Sequence, residues 1–275
     1  MDVLKIAAFS DGETGGNPAG VVISEKLSAP AEMQAVAADV GFSETAFAAP
    51  DGAGWTVRYF SPETEVPFCG HATIALGAAL ALREGDGTFP LQLSEAEITV
   101  EGYRQGFLIT GALQSPPTGS CPAEVSLLEE ALDLFGYSRG DLDPRIEPSF
   151  IQAGAPHLLL ALKDRSALSA MHYDLDRGRE FMKRIDVVTV SLVVSETDRR
   201  FHARNPFASG GVYEDPATGA AAAALAGHLR LIGWPHGGAI EIVQGQDMGM
   251  RSLLKADIGA APGSSIRVSG TARMM

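Results

Sequence analysis

Residues 65–80 of this 275-residue chain read EVPFCGHATIALGAAL, and residues 214–229 read EDPATGAAAAALAGHL. Each stretch is a polar turn followed by a glycine and then by an alanine-rich segment. When Gly70 is aligned with Gly219, the matching alanines and leucines recur at helical spacing, and both residue types are strong helix formers. The two stretches therefore predict two similar helices, each entered through a glycine that lets the backbone approach a ligand closely. A small anion could rest on the free N–H groups at either helix start.

A second pair of segments favours a duplication over a chance match between alanine-rich helices. Residues 16–23 read GNPAGVVI and residues 154–161 read GAPHLLLA, so in both a Gly-x-Pro turn leads into an apolar run of strand length. The two pairs occur in the same order and at nearly the same separation along the chain. Repetition at half the chain length predicts two similar lobes.

The composition argues against several classes of partner. The chain is 45% hydrophobic, enough for a core in each lobe, and its formal net charge of −13 argues against nucleic acid or an anionic membrane as a partner. No stretch is apolar enough for a membrane span and the N-terminus does not resemble a signal peptide, so we expect a cytoplasmic protein. Cys69 and Cys121 are too few for a disulfide framework and belong to no spaced metal motif. The histidines likewise show no metal-binding spacing, so no metal is expected.

The order of predicted elements indicates an α+β fold. Strands outnumber helices in both halves, and each half carries one long helix, at about 72–83 and about 219–232. Neither a Gly-x-Gly-x-x-Gly turn after a strand nor a Walker lysine is present, which argues against a nucleotide-binding α/β sheet. Residues 115–122, SPPTGSCP, are predicted to form a linker outside helix and sheet because prolines and glycines disfavour both. We therefore expect an N-terminal lobe at 1–115, a C-terminal lobe at 116–261, and a tail at 262–275 that packs back on the first lobe.

Four ionisable residues are candidates for proton transfer. Glu44 lies in GFSETAFA, residues 41–48, and a carboxylate in such an apolar frame loses solvation, which suits it to take and return a proton near neutral pH. The alternative is a strand whose glutamate faces water. His71 opens a predicted helix, where an imidazole either contacts a ligand bound to the helix N–H groups or is purely structural. Asp215 at its simplest shapes the turn before the second helix, whereas Cys69 could be a racemase thiolate favoured by a helix N-terminus.

Five segments together resemble the PhzF family of phenazine-biosynthesis isomerases and their relatives. They are GNPAGVV at 16–22, SETAF at 43–47, YFSPETEVPFCGHAT at 59–73, EDPATG at 214–219 and QGQDMG at 244–249. The resemblance implies a diaminopimelate-epimerase-like fold: two pseudo-symmetric lobes, each a curled β-sheet around a central α-helix, with the active site in the cleft between them. It also implies a cofactor-free acid/base isomerisation of a small carboxylate-bearing substrate, and a homodimer.

The resemblance assigns roles to individual residues. Glu44 matches the glutamate that moves the proton, and His71 and Asp215 match its assisting residues. The residues expected to bind substrate are Asn17, Ser43, Gly70, Ala72, Gly219 and Ala220. Asp215 stands where a two-cysteine racemase is expected to carry its second thiol, and Glu44 has no acidic counterpart near residue 190. This asymmetry favours one-base isomerisation over two-base racemisation.

Two positions depart from the family pattern. Ala220 replaces the serine that family isomerases carry after the Asp-Pro-x-Thr-Gly motif, which removes a hydroxyl hydrogen bond worth about 1 kcal/mol. Met250-Arg251-Ser252 stands where the family tends to have Arg-Pro-Ser. We therefore expect the scaffold to be kept and the substrate to differ from the phenazine precursor. Two alternatives stay open: a one-cysteine amino-acid racemase or epimerase that uses Cys69, and a non-catalytic homologue that binds a small anion.

Overall fold

The computed structural model describes residues 2–94, 96–106 and 108–275. The chain divides into two compact units. Unit 1 consists of Met1–Gln114 with Ser269–Met275, and unit 2 is Ser115–Val268. The sequence-based boundaries, after residues 115 and 261, differ from this division mainly in assigning a longer tail to the first lobe.

Unit 1 consists of a mixed sheet and the helices α1 and α2. Helix α1 begins with Pro30, whose fixed φ suits a first turn, and it ends before Gly41, which adopts a left-handed φ of 69°. In chain order the elements are β1 (Leu4–Ser10), β2 (Asn17–Ile23), α1 (Pro30–Val40), β3 (Thr45–Asp51), β4 (Gly54–Phe60), β5 (Glu65–Val66), α2 (Gly70–Glu84), β6 (Gly87–Gln92), β7 (Glu97–Gln105) and β8 (Leu108–Gln114).

Unit 2 follows the same plan, with two shorter helices in place of α1 and one additional helix near its start. Its elements are β9 (Gly119–Pro122), α3 (Val125–Phe135), β10 (Ser149–Gln152), β11 (Pro156–Leu162), α4 (Arg165–Ser169), α5 (Leu175–Arg184), β12 (Thr189–Thr197), β13 (Arg200–Phe207), β14 (Val212–Asp215), α6 (Gly219–Leu231), β15 (Ala239–Gln244) and β16 (Ser252–Asp257). The last strand, β17 (Arg267–Met274), pairs antiparallel with β1 through its residues in unit 1.

The strand pairings repeat from one unit to the other. In unit 1, β2 pairs parallel with β3, β3 antiparallel with β4, β4 parallel with β6 across α2, and β6 antiparallel with β7. In unit 2, the corresponding pairs are β11 with β12, β12 with β13, β13 with β15 across α6, and β15 with β16, in the same directions. The α+β class predicted from the sequence is confirmed, and each unit has the mixed sheet that a duplicated segment would form.

Each central helix is buried along nearly its whole length. In α2 the side chains from His71 to Ala81 are all buried, and in α6 those from Ala221 to Leu229 are. A helix that is apolar on every side must be covered on every side. The two alanine-rich segments therefore form the cores around which the strands of each unit pack.

Glycines set how closely helix α2 approaches its strands. A Cβ placed on Gly102 of β7 would lie 2.2 Å from the carbonyl oxygen of Gly77 and 2.9 Å from the Cβ of Ala81. A Cβ placed on Gly77 would lie 2.6 Å from a methyl carbon of Val100. Neither contact leaves room for a side chain, so the helix and strand touch backbone to backbone at this point.

The predicted linker is partly a strand. Residues Gly119–Pro122 form β9 and pair antiparallel with β10, and Cys121 is an exposed residue of this strand rather than part of a loop. The error has a physical reason, because Pro122 ends the strand and a terminal position does not need every N–H for the ladder. Both long helices are confirmed close to their predicted bounds, as Gly70–Glu84 and Gly219–Leu231.

Substitution of Gly102 by alanine is expected to lower the free energy of unfolding by about 1–3 kcal/mol, the usual cost of overpacking, because the new methyl group has no space beside Gly77. Chemical denaturation followed by circular dichroism measures the change. Gly87→Ala is the matched control, since a Cβ there meets only ring atoms of Phe89 at 3.8 Å or more. Equal stability of the two variants would contradict the packing argument.

Candidate active site

Four side chains of unit 1 meet at the start of helix α2. Glu44 lies immediately before β3, and its Oε2 atom is 3.5 Å from Nε2 of His71. The Ser43 hydroxyl oxygen is 3.3 Å from the same nitrogen. On the other side of the ring, Sγ of Cys69 is 3.3 Å from Nδ1. The structure therefore brings together Ser43, Glu44 and His71, as expected, and adds Cys69 to the group.

Glu44 is largely shielded from water although it is not part of a strand. Its side chain is 15% exposed and that of His71 is 7% exposed. The alternative of a strand glutamate facing water is therefore wrong. A carboxylate, a hydroxyl and a thiol all contact one imidazole, so a proton can pass between them through the ring.

The same cluster contains potential metal ligands. One donor atom each from Glu44, Cys69 and His71 lies within 4.8 Å of the other two. The expectation that no metal binds rests on the spacing of residues in sequence. Sequence spacing cannot reveal this cluster. Glu44 lies just before β3, about 25 residues before Cys69 and His71 at the start of α2.

A chain of buried hydroxyl groups supports the helix start. Thr73 donates its hydroxyl hydrogen to the carbonyl oxygen of Cys69 at 2.7 Å. That hydrogen is committed, so the phenol of Tyr59, 2.7 Å from the Thr73 oxygen, must be the donor in the second bond. Cys69 is the N-cap residue of α2. This chain of hydrogen bonds holds the backbone at Cys69, next to the residues that carry the thiol and the imidazole.

The other substrate-binding candidates of unit 1 differ in their surroundings. Asn17 is the buried first residue of β2, and Ala72 is buried in the first turn of α2. Gly70 faces open space, since a Cβ placed on it would meet nothing within 4 Å. A ligand could therefore reach the N–H groups of the first turn at this point.

The remaining candidates lie in unit 2, at the start of helix α6. Asp215 is the last residue of β14, Gly219 is the first residue of the helix, and Ala220 follows it. The hydroxyl of Thr218 donates to Oδ2 of Asp215. The amide oxygen of Gln244 accepts the backbone N–H of Thr218 at 3.1 Å.

The central helices of the two units begin after different N-cap residues. Cys69 is the N-cap of α2, and the N-cap of α6 is Thr218. Thr218 therefore holds the N-cap position in unit 2, as the alignment of Gly70 with Gly219 implies, and Asp215 lies three residues earlier.

Sequence reasoning missed an ion pair next to Asp215. Arg204 and Glu214 form a buried salt bridge, with side chains 8% and 3% exposed. Arg204 also donates to the carbonyl oxygen of Ser169 at 2.9 Å. The pair joins two neighbouring strands, β13 and β14, and no spacing rule in the sequence signals such a contact.

Comparisons with known proteins agree with these observations. The sequence profile described as "Phenazine biosynthesis-like protein" (PhzC-PhzF) matches residues 6–275. A trans-2,3-dihydro-3-hydroxyanthranilate isomerase of Pseudomonas fluorescens is 30% identical over 96% of this chain and 94% of its own length. A protein of Bacillus subtilis named an uncharacterized isomerase is 28% identical over 98% of this chain and 95% of its own length.

Solved structures show the same fold. A PhzF-family phenazine biosynthesis protein of Bacillus anthracis superposes with a TM-score of 0.85 at 21% identity, covering 99% of this chain and 96% of that one. A hydroxyproline epimerase of Agrobacterium vitis superposes with a TM-score of 0.65 at 11% identity, covering 99% and 90%.

The fold and the relatives together define an isomerase built on the diaminopimelate-epimerase-like fold, as the sequence predicts. The chain belongs to the phenazine biosynthesis-like PhzC-PhzF family. Within the described residues, no helix has both the length and the apolar character that crossing a bilayer requires.

The Tyr59 phenol gives a test of the hydroxyl chain at the start of α2. Burial raises the pKa of Tyr59 well above its usual range. Below about pH 10 the phenol is protonated in the folded and the unfolded states, so its contribution to stability is fully present. Above that pH only the unfolded state ionises, and the free energy of unfolding falls.

We expect Tyr59→Phe to lose about 1 kcal/mol at neutral pH, the net value of one hydrogen bond, and to lose less further stability than the wild type above about pH 10. Denaturant titrations at several pH values measure both effects. Tyr103→Phe, at an exposed position, is the matched control. A pH dependence of Tyr59→Phe identical to that of the wild type would contradict the argument.

Proposed function

We propose that the protein is a cofactor-independent isomerase that moves a proton between carbon atoms of a small carboxylate-bearing metabolite, with Glu44 as the base. The observation that carries the proposal is the shielded Glu44 carboxylate, 3.5 Å from His71 at the N-terminus of a buried helix. A carboxylate in this setting has few water molecules to lose when a substrate arrives, and it has an imidazole within reach for proton exchange.

The helix start supplies the binding energy for the anionic group. The first N–H groups of α2, at Gly70, His71 and Ala72, have no carbonyl partner within the helix, and the helix dipole adds a partial positive charge there. The open space at Gly70 gives a carboxylate access to these groups. The N-terminus of α6, at Gly219 and Ala220, offers the same chemistry in unit 2.

Each assisting residue has a role that its contacts support. His71 exchanges protons with Glu44 through Nε2, while Ser43 helps to hold that face of the ring. Asp215 guides the proton at the second helix. Ala220 provides no hydroxyl to the substrate, and this favours a substrate other than the compound named for the Pseudomonas relative.

A second candidate is a one-cysteine racemase or epimerase. The observation in its favour is that Cys69 is the N-cap of α2 with its Sγ atom 3.3 Å from Nδ1 of His71. A helix N-terminus and a nearby imidazole both favour the thiolate, which is the reactive form. The two candidates differ in which residue takes the proton from carbon.

Glu44→Gln is expected to reduce proton exchange at substrate carbon by about 10²-fold or more, because an amide cannot act as a general base. The measurement is ¹H NMR of deuterium incorporation in D₂O, with a panel of small carboxylates that includes trans-2,3-dihydro-3-hydroxyanthranilate. Exposed Glu63→Gln is the matched control and should exchange at the wild-type rate. Undiminished exchange in Glu44→Gln would overturn the assignment of the base.

Cys69→Ser separates the two candidates. If Glu44 is the base, the serine variant should retain most of the exchange activity, since the backbone contacts of the N-cap residue are unchanged. If Cys69 is the base, the serine variant should lose exchange while Glu44→Gln keeps it. Binding of a carboxylate by the wild type with no exchange for any member of the panel would instead support a non-catalytic binding protein.

A further inference from the structure

Gln244 has both halves of its side-chain amide engaged at the turn that leads into helix α6. It is the last residue of β15 and is 1% exposed. Its Oε1 atom accepts the backbone N–H of Thr218 at 3.1 Å. Its Nε2 atom donates to the carbonyl oxygen of Asp215 at 2.7 Å and to the hydroxyl oxygen of Thr218 at 3.0 Å.

The directions of these hydrogen bonds are fixed by the backbone. A backbone N–H can only donate and a carbonyl oxygen can only accept, so the amide of Gln244 cannot be turned over. Its NH₂ group therefore supplies a hydrogen to the oxygen of Thr218. The single hydrogen of the Thr218 hydroxyl is then left for its other contact, Oδ2 of Asp215. That carboxylate oxygen is held as an acceptor.

The backbone around this turn is shaped to bring Gln244 close. Gly245 has a φ of 70°, and a Cβ on it would lie 2.7 Å from the carbonyl oxygen of Pro216 and 2.4 Å from that of Met250. Only glycine fits at this point. On the other side, the buried Arg204–Glu214 pair holds the residue just before Asp215. The turn is thus held by neighbours on two sides, independently of any ligand.

We propose that Gln244 and Thr218 are positioning residues that hold the Asp215 carboxylate in one orientation with Oδ2 as a hydrogen-bond acceptor. Asp215 then presents its carboxyl group to the reaction in one fixed orientation. The part of this inference that concerns the reaction rests on the proposed function. The hydrogen-bond arrangement itself is a property of unit 2 and is testable without a substrate.

The substrate-free test uses the ¹³C signal of the Asp215 carboxyl group in protein labelled at aspartate carboxyl carbons. The signal is identified by its absence from Asp215→Asn. We expect Thr218→Val, which keeps the shape and removes the hydroxyl, to shift this signal, and Thr218→Ser to restore the wild-type position. A signal unmoved in Thr218→Val, or moved equally in Thr218→Ser, would overturn the proposal.

The kinetic test uses the exchange assay on the wild type and the variants. Thr218→Val should lower kcat by about 10-fold and leave KM nearly unchanged, because the Asp215 carboxylate loses a hydrogen bond. Thr218→Ser should recover most of kcat. Gln244→Glu replaces the donor with an acceptor and should lower kcat to a similar extent. The double variant Thr218→Val with Gln244→Glu should be little worse than either single variant, because both break the same network.

The two tests separate the possible failures. If no carboxylate shows exchange with the wild type, the proposed function fails and the ¹³C measurement still decides the hydrogen-bond arrangement. If exchange occurs and Thr218→Val raises KM with kcat unchanged, positioning of Asp215 for the chemical step is overturned. Circular dichroism shows whether Thr218→Val folds. If it does not, Thr218→Ser is compared with Gln244→Glu instead, and equal ¹³C spectra for those two variants would overturn the proposal.

Discussion

The backbone contact between helix α2 and strand β7 is the constraint on which the rest of unit 1 depends. At Gly102 and Gly77 the helix and strand approach too closely for either residue to carry a side chain. An equivalent restriction applies in unit 2, where a Cβ on Gly227 of α6 would lie 2.5 Å from the Cβ of Thr118. Because small residues let strands close around a helix, alanine and glycine dominate both central helices. The position of each helix start, and of the residues that cap it, follows from that packing.

Local patterns in the sequence predict this framework well. Gly70 and Gly219 mark the helix starts because a polar turn, a glycine and an alanine-rich run are all adjacent in the chain. The repeated Gly-x-Pro turns predict the duplication, and the repeated ladders of β2–β3–β4 and β11–β12–β13 have the matching directions. These features depend on neighbours in sequence, which is the information that a single sequence contains.

The candidate site is less predictable because its contacts join distant segments. Glu44 and His71 can be named from motifs, but the approach of Cys69 to the other face of the imidazole depends on how the ring is turned. Gln244 lies in a segment that resembles the family. Its hydrogen bonds to Thr218 form only because β15 lies beside the turn before α6. The shared N-cap position of Cys69 and Thr218, in contrast, follows directly from the alignment of Gly70 with Gly219 in the sequence.

The hydrogen-bond chains at the starts of α2 and α6 end on different kinds of acceptor. In unit 1 the hydroxyl chain from Tyr59 through Thr73 ends on a backbone carbonyl and leaves the ionisable side chains to contact one another. In unit 2 the chain from Gln244 through Thr218 ends on a carboxylate. The two units therefore differ chemically at the starts of their central helices.

The burial of α2 also determines how strongly dissolved salt screens the electric field of the helix dipole. Between Gly70 and Leu82 its ionisable residue is His71, and protein surrounds almost all of that length. Mobile ions weaken the attraction between charges in water over about 8–10 Å at physiological ionic strength, but they cannot enter a packed interior. Salt therefore screens the field along the buried length of α2 less than it screens the field of a helix exposed to water.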